Sequence, residues 1–142
     1  MKLSLADVNV WLALLTPRHV HHERAARWFA AAGASEGGLC RIVQLGVIRL
    51  LGNPAIMGSD AISAARAWSI MSQLGEDERV ELILEPPGIE AVLPDFFRYP
   101  GPTGKLVGDA YLAAFAIAAG RRVVTLDRGF RQFQGLEVEL LS

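Results

Sequence analysis

The stretch that most constrains this chain is Gly104 to Phe133, GKLVGDAYLAAFAIAAGRRVVTLDRGFRQF. Leu106 to Ala119 are strong helix formers, and Gly120 is a natural stop. Val123, Val124 and Leu126 follow as a short apolar run between Arg122 and Asp127, the pattern of a buried strand. A further helix is expected to start after Asp127. Asp109 is expected in the first turn of the long helix and Asp127 where the strand ends. Ligands of open parallel sheets bind at the carboxyl ends of the strands, so two acids of one α/β unit can converge there.

The rest of the chain repeats the alternation. Lys2 to Ala6 reads as a strand ended by Asp7, and Val8 to Leu15 as a buried helix stopped near Pro17. The segment RHVHHERAARWFAAAG places Ala25, Ala26, Trp28, Phe29 and Ala32 on one helical face. Leu39 and Cys40 form a very short strand. Ile42 to Leu51 is a third helix with Ile42, Leu45 and Ile48 on one face. Ser59 and Asp60 can cap a fourth helix running to about Leu74. Val80 to Leu84 reads as a strand. Ile89 to Tyr99 is helical apart from Pro94, and Val138 to Leu141 is a last strand. Short strands alternating with helices define a single α/β domain over 1–142, with a mostly parallel sheet and helices on both faces. Right-handed crossovers would bring Asp7 and Asp127 to the same sheet edge.

Composition narrows the class. Hydrophobic residues are 51% of the 142, which suits a packed domain and excludes a disordered tail. The net charge of -1 neither announces nor excludes a nucleic-acid partner. Cys40 is the one cysteine, so no internal disulfide forms. The start, MKLSLAD, carries an acid where a secretory signal needs an apolar run. Ala110 to Gly120 is too short to span a bilayer. The expectation is a cytoplasmic protein with no membrane contact.

Asp7, Asp109 and Asp127 define the chemistry. Each alone has a plainer role: an Asp after a strand commonly caps a helix, and Asp109 can complement a helix dipole. Three carboxylates brought together repel one another unless a cation joins them. Hard oxygen donors favour Mg²⁺ or Mn²⁺ as that cation. Such a centre suits phosphodiester hydrolysis, because the ion activates water and neutralises phosphate charge.

Four motifs occur in order: LADVNVWLALL, CRIVQLGVIRLL, GDAYLAAFAIAAG and VVTLDRGF. Together they resemble the PIN domain, and most closely the VapC-type toxins of bacterial toxin–antitoxin pairs. HVHHERAARWF and LLGNPAIMG are similar to one branch of those toxins. The resemblance runs from Leu3 to Phe133. It implies a three-layer α/β/α sandwich and an endoribonuclease dependent on Mg²⁺ or Mn²⁺. It also implies RNA as substrate, a homodimer, and silencing by a small antitoxin polypeptide. By position, Asp7, Asp109 and Asp127 match the family's metal-binding acids. Gln44 takes the place of a Glu in the third helix. An amide can bind water or coordinate through its oxygen but brings no charge. A weak or inactive PIN-like binding module is therefore the alternative.

Other residues fit ordinary roles. His19, His21 and His22 with Glu23 are best explained as a solvated first helical turn. Arg41, Arg49, Lys105 and Arg128 are candidates for RNA phosphates, and Thr125 for orienting Asp127. Trp28, Phe29, Trp68, Phe96 and Phe97 are candidate anchors for a partner surface. A signalling receiver domain would need paired acids after the first strand and a Lys after a late one, and Asp7-Val8-Asn9 and Asp127 do not provide them.

Overall fold

The computed structural model describes residues 3–142. Lys2, expected in the first strand, lies outside them. Five strands form one sheet: β1 (Ser4–Ala6), β2 (Gly37–Cys40), β3 (Val80–Ile83), β4 (Arg122–Thr125) and β5 (Val138–Leu140). Their order is β3-β2-β1-β4-β5 and every pairing is parallel. The helices are α1 (Val8–Leu15), α2 (His22–Ala31), α3 (Arg41–Leu51), α4 (Pro54–Met57), α5 (Ala64–Gly75), α6 (Leu93–Phe96) and α7 (Thr103–Ala119). Right-handed crossovers through this order put α1 to α5 over one face and α6 and α7 over the other. The packing divides the same way: α1 lies against α2 and α3, α3 against α5, and α6 against α7. This is the expected three-layer α/β/α arrangement.

The core explains why β1 is central. Leu5 and Ala6 are fully buried, as are Val123 and Val124 of the neighbouring strand. Trp11 is buried beside them and donates its indole N–H to Ala6 O at 3.1 Å. Trp28 and Phe29 meet the Trp11 ring edge-on, at 5.5 and 6.1 Å between centroids. Glycine permits one close approach. A Cβ on Gly46 of α3 would stand 2.9 Å from Val8 Cγ2, so α3 packs directly on the start of α1. Gly120 ends α7 in the left-handed region at φ 69°.

Several sequence expectations shift. Helix α5 is capped by Ser63, whose Oγ accepts from Arg66 N, and not by Ser59 or Asp60, which lie in a separate 3-10 turn. The buried face of α3 is Val43, Gln44, Val47 and Leu51, whereas Ile42 and Leu45 are exposed. Helix α7 starts at Thr103, so Asp109 is past its first turn. Pro94 divides the segment from Ile89 into a 3-10 turn and the short α6. Trp28, Phe29 and Phe96 are core residues, leaving Trp68 and Phe97 exposed. Among the described residues no single helix is long and apolar enough to cross a membrane.

Candidate active site

Two neighbouring parallel strands supply the site's frame. Ala6 of β1 lies opposite Val124 of β4, and Asp7 N donates to Val124 O at 2.9 Å. Asp7 and Asp127 therefore leave the sheet on the same edge. Asp7 caps α1: its Oδ1 accepts from Val8 N at 2.7 Å, and its Oδ2 accepts from the Thr125 hydroxyl at 3.0 Å. The Thr125 oxygen in turn accepts from Asp127 N at 3.0 Å. Asp127 caps the 3-10 turn Arg128–Gln132 through Gly129 N, at 2.8 Å to Oδ1. The expected plain role as a cap is thus real for both acids, and it fixes their orientation.

Asp109 reaches the same place from α7 through Lys105. The Lys105 ammonium donates to Asp109 Oδ2 at 3.1 Å and to Asp127 Oδ2 at 2.5 Å. The i, i+4 spacing of Lys105 and Asp109 was open to sequence reasoning. The second contact needs the folded sheet.

The charges record the crowding. Burial pushes the Asp7 carboxyl up to about 6, against its hydrogen bonds to Thr125 and Val8, and the charges of Asp109 and Asp127 push it the same way as burial. Burial also raises Asp109, against its bond to Lys105. Asp127 is held below the usual carboxylate range, first by its hydrogen bond to Lys105. Three carboxylates and one ammonium share this edge.

The residues fit a hard divalent cation by donor chemistry. All three offer carboxylate oxygen, their charges repel, and a cation already stands between two of them as the Lys105 ammonium. Among the described residues no three His, Cys, Asp or Glu side chains form a ready-made metal cage. An ion here would need Asp109 and Asp127 to draw in around it, with Lys105 giving way.

Gln44 is placed differently. It is 7% exposed, and its Oε1 accepts from Arg41 at 2.5 Å. It lines a 340 Å³ cleft between α3, α5 and the edge strand β3, with Arg41, Trp68 and Met71 around it. None of the hydrogen bonds that tie the three acids together involves it. Arg41 also lies over the Trp68 ring, 5.8 Å from its centroid. The histidines serve the chain locally: His19 Nδ1 accepts from His21 N, and His22 Nδ1 is 2.8 Å from Ala13 O. Thr125 and Lys105 are the connecting residues that the motifs alone left in minor roles.

Comparison with known proteins identifies the family. Residues 5–136 match the PIN domain family, and the chain belongs to that family. Ribonuclease VapC41 of Mycobacterium tuberculosis is 37% identical over 145 residues, spanning 99% of each chain. Ribonuclease VapC44 of the same organism is 35% identical over 126 residues, covering 88% of this chain and 86% of its own. Among solved structures, Mycobacterium tuberculosis VapC20, described as a sarcin-ricin loop cleaving toxin, superposes with a TM-score of 0.68 at 20% identity, covering 96% of this chain and 98% of its own. VapBC2 from Rickettsia felis, bound to a DNA fragment from its promoter, gives 0.67 at 14% identity over 99% of both chains. These last two establish likeness of fold.

Proposed function

We propose that this protein is the toxin of a type II toxin–antitoxin pair, an endoribonuclease that hydrolyses RNA phosphodiester bonds with a carboxylate-held Mg²⁺ or Mn²⁺. The observation that carries the proposal is the meeting of Asp7, Asp109 and Asp127 at one sheet edge, joined through Thr125 and Lys105. Relatives named ribonuclease that match nearly the whole chain support the same activity. Asp7, Asp109 and Asp127 would hold the ion. When bound, it would supply a more acidic water and offset charge on the attacked phosphate.

The chain's own groups prepare that chemistry. Val8 N and the Thr125 hydroxyl fix both Asp7 oxygens, so its carboxylate does not rotate as charge changes nearby. The Gly129 amide holds Asp127 Oδ1, leaving Oδ2 toward the cluster. Gln44, bonded to Arg41 at the start of α3, would bring an amide oxygen and no fourth charge.

The partners follow the same reading. A cognate antitoxin polypeptide is supported by structural neighbours solved as VapBC complexes. A homodimer is supported by exposed Trp68, Leu82 and Leu84 around the Gln44 cleft. A cytoplasmic setting fits the single buried Cys40. Incubating the purified chain with RNA and Mn²⁺ tests the activity. Cleavage lost in Asp109→Asn is the expected result, and cleavage equal to the parent's would overturn the assignment. Sedimentation tests the dimer.

A further inference from the structure

Lys105 sits one turn before Asp109 on α7, yet its ammonium closes a bridge to another part of the chain. It touches Asp109 Oδ2 at 3.1 Å and Asp127 Oδ2 at 2.5 Å. Hydrogen bonds from the backbone and from Thr125 orient two of the three acids around it. Asp127 Oδ1 takes the Gly129 amide, and Asp7 takes Val8 N and the Thr125 hydroxyl. Lys105 thus places a positive charge between Asp109 Oδ2 and Asp127 Oδ2, where a hard cation would compete with it. The Lys105 side chain is 57% exposed, against 19% for Asp109 and 28% for Asp127. Its flexible stem can swing to solvent without opening the core.

We infer that Lys105 is a displaceable internal counter-ion, which holds Asp109 and Asp127 together in the metal-free protein and competes with the divalent ion for the same two oxygens. Lys105 has this role only if the three acids are the metal site, as proposed above. Two consequences follow from charge alone. The metal-free protein keeps its acids aligned in place of splaying them apart. The apparent affinity for the ion is lower than the three carboxylates would otherwise give, because each bound ion must expel an ammonium. An arginine would keep the bridge, whereas a neutral side chain would remove both the clamp and the competitor. Lys105 is a positioning residue in this scheme, and its effect is on occupancy and stability before any reaction.

The test is calorimetric titration of the full-length protein with MnCl₂, paired with thermal melts in chelator and in Mn²⁺. Lys105→Met and Lys105→Gln are expected to bind Mn²⁺ about three-fold tighter or more, since a like charge beside the ion is gone. Both should melt lower than the parent in chelator and gain more from added Mn²⁺. Lys105→Arg should stay close to the parent on both counts. Unchanged or weaker Mn²⁺ binding by both neutral variants would overturn the inference. Asp109→Asn and Asp127→Asn separate the two levels. If they bind Mn²⁺ like the parent, the acids are not the metal site and the proposed chemistry fails. If they lose Mn²⁺ while the neutral Lys105 variants gain nothing, only the role of Lys105 fails.

Discussion

Thr125 and Asp7 stand 118 residues apart in sequence and are joined by a hydroxyl that donates to Asp7 Oδ2 at 3.0 Å. The Thr125 hydroxyl oxygen itself accepts from the Asp127 amide, so one small side chain sets the spacing of two acids. Thr125→Val keeps the shape and removes both bonds. A hydrogen bond to a carboxylate is worth roughly 1.5–3 kcal/mol, and a loss of stability on that scale is expected in urea unfolding. Asp7 would become harder to ionise, moving the acidic limb of the pH–rate profile upward. Thr125→Ser should restore most of both, and a Val variant with the parent's profile would argue against the link.

Asp7 also makes a prediction about pH. Its carboxyl titrates at about 6 in the folded chain against 3.8 as a free group. The folded state thus binds this proton more tightly. The associated stability is fully present below about pH 3.8 and is lost as pH rises through 6. Two units correspond to about 3 kcal/mol. Asp127 has the opposite sign, with stability lost as pH falls, so the test is a difference between variants. In chelator, Asp7→Asn should gain melting temperature over the parent at pH 7.5 and show little gain near pH 3.5, below the free carboxyl's range. An equal gain at both pH values would show that Asp7 carries no such strain.

Asp109→Asn keeps an oxygen for Lys105 and leaves the Lys105–Asp127 pair in place. The fold should persist by circular dichroism, with a metal-free melt no lower than the parent's. RNA cleavage should fall by at least ~10²-fold, the scale seen when one group that stabilises developing charge is removed.

Gln44→Glu adds a carboxylate beside Arg41, which already donates to this side chain. Arg41 should absorb much of the added charge. Mn²⁺ affinity is then expected to rise by less than about two-fold, a smaller effect than in the neutral Lys105 variants. Combining Gln44→Glu with Arg41→Ala leaves the carboxylate buried and unpaired, and the metal-free melt should drop clearly. Titration and melts on the single and double variants check both expectations.

Much of this site was open to a reading of the residues. Asp7 and Asp127 follow apolar strands, and parallel topology leaves them little choice of edge. Asp109 is visible as an acid in an apolar helix. What could not be read is carried by contacts between distant segments. Thr125 was open to orienting Asp127, and does bond its amide, but the bond to Asp7 needs β1 beside it. Lys105 looks like a surface cation until Asp127 arrives. The α3 face was misjudged because Gln44 counts as polar, and only its bond to Arg41 shows how an amide is buried there. Trp28 and Phe29 suited either the core or a partner surface, and Trp11 draws them into the core.

The placement of β1 at the middle of the sheet has a bearing on the cell that makes this protein. Asp7 leaves the ribosome well before its companions Asp109 and Asp127 do. Strand β4 cannot dock against β1 until then, and the three carboxylates have no common edge before it does. A growing or truncated chain ending short of β4 therefore carries Asp7 without the edge at which it meets Thr125 and Asp127.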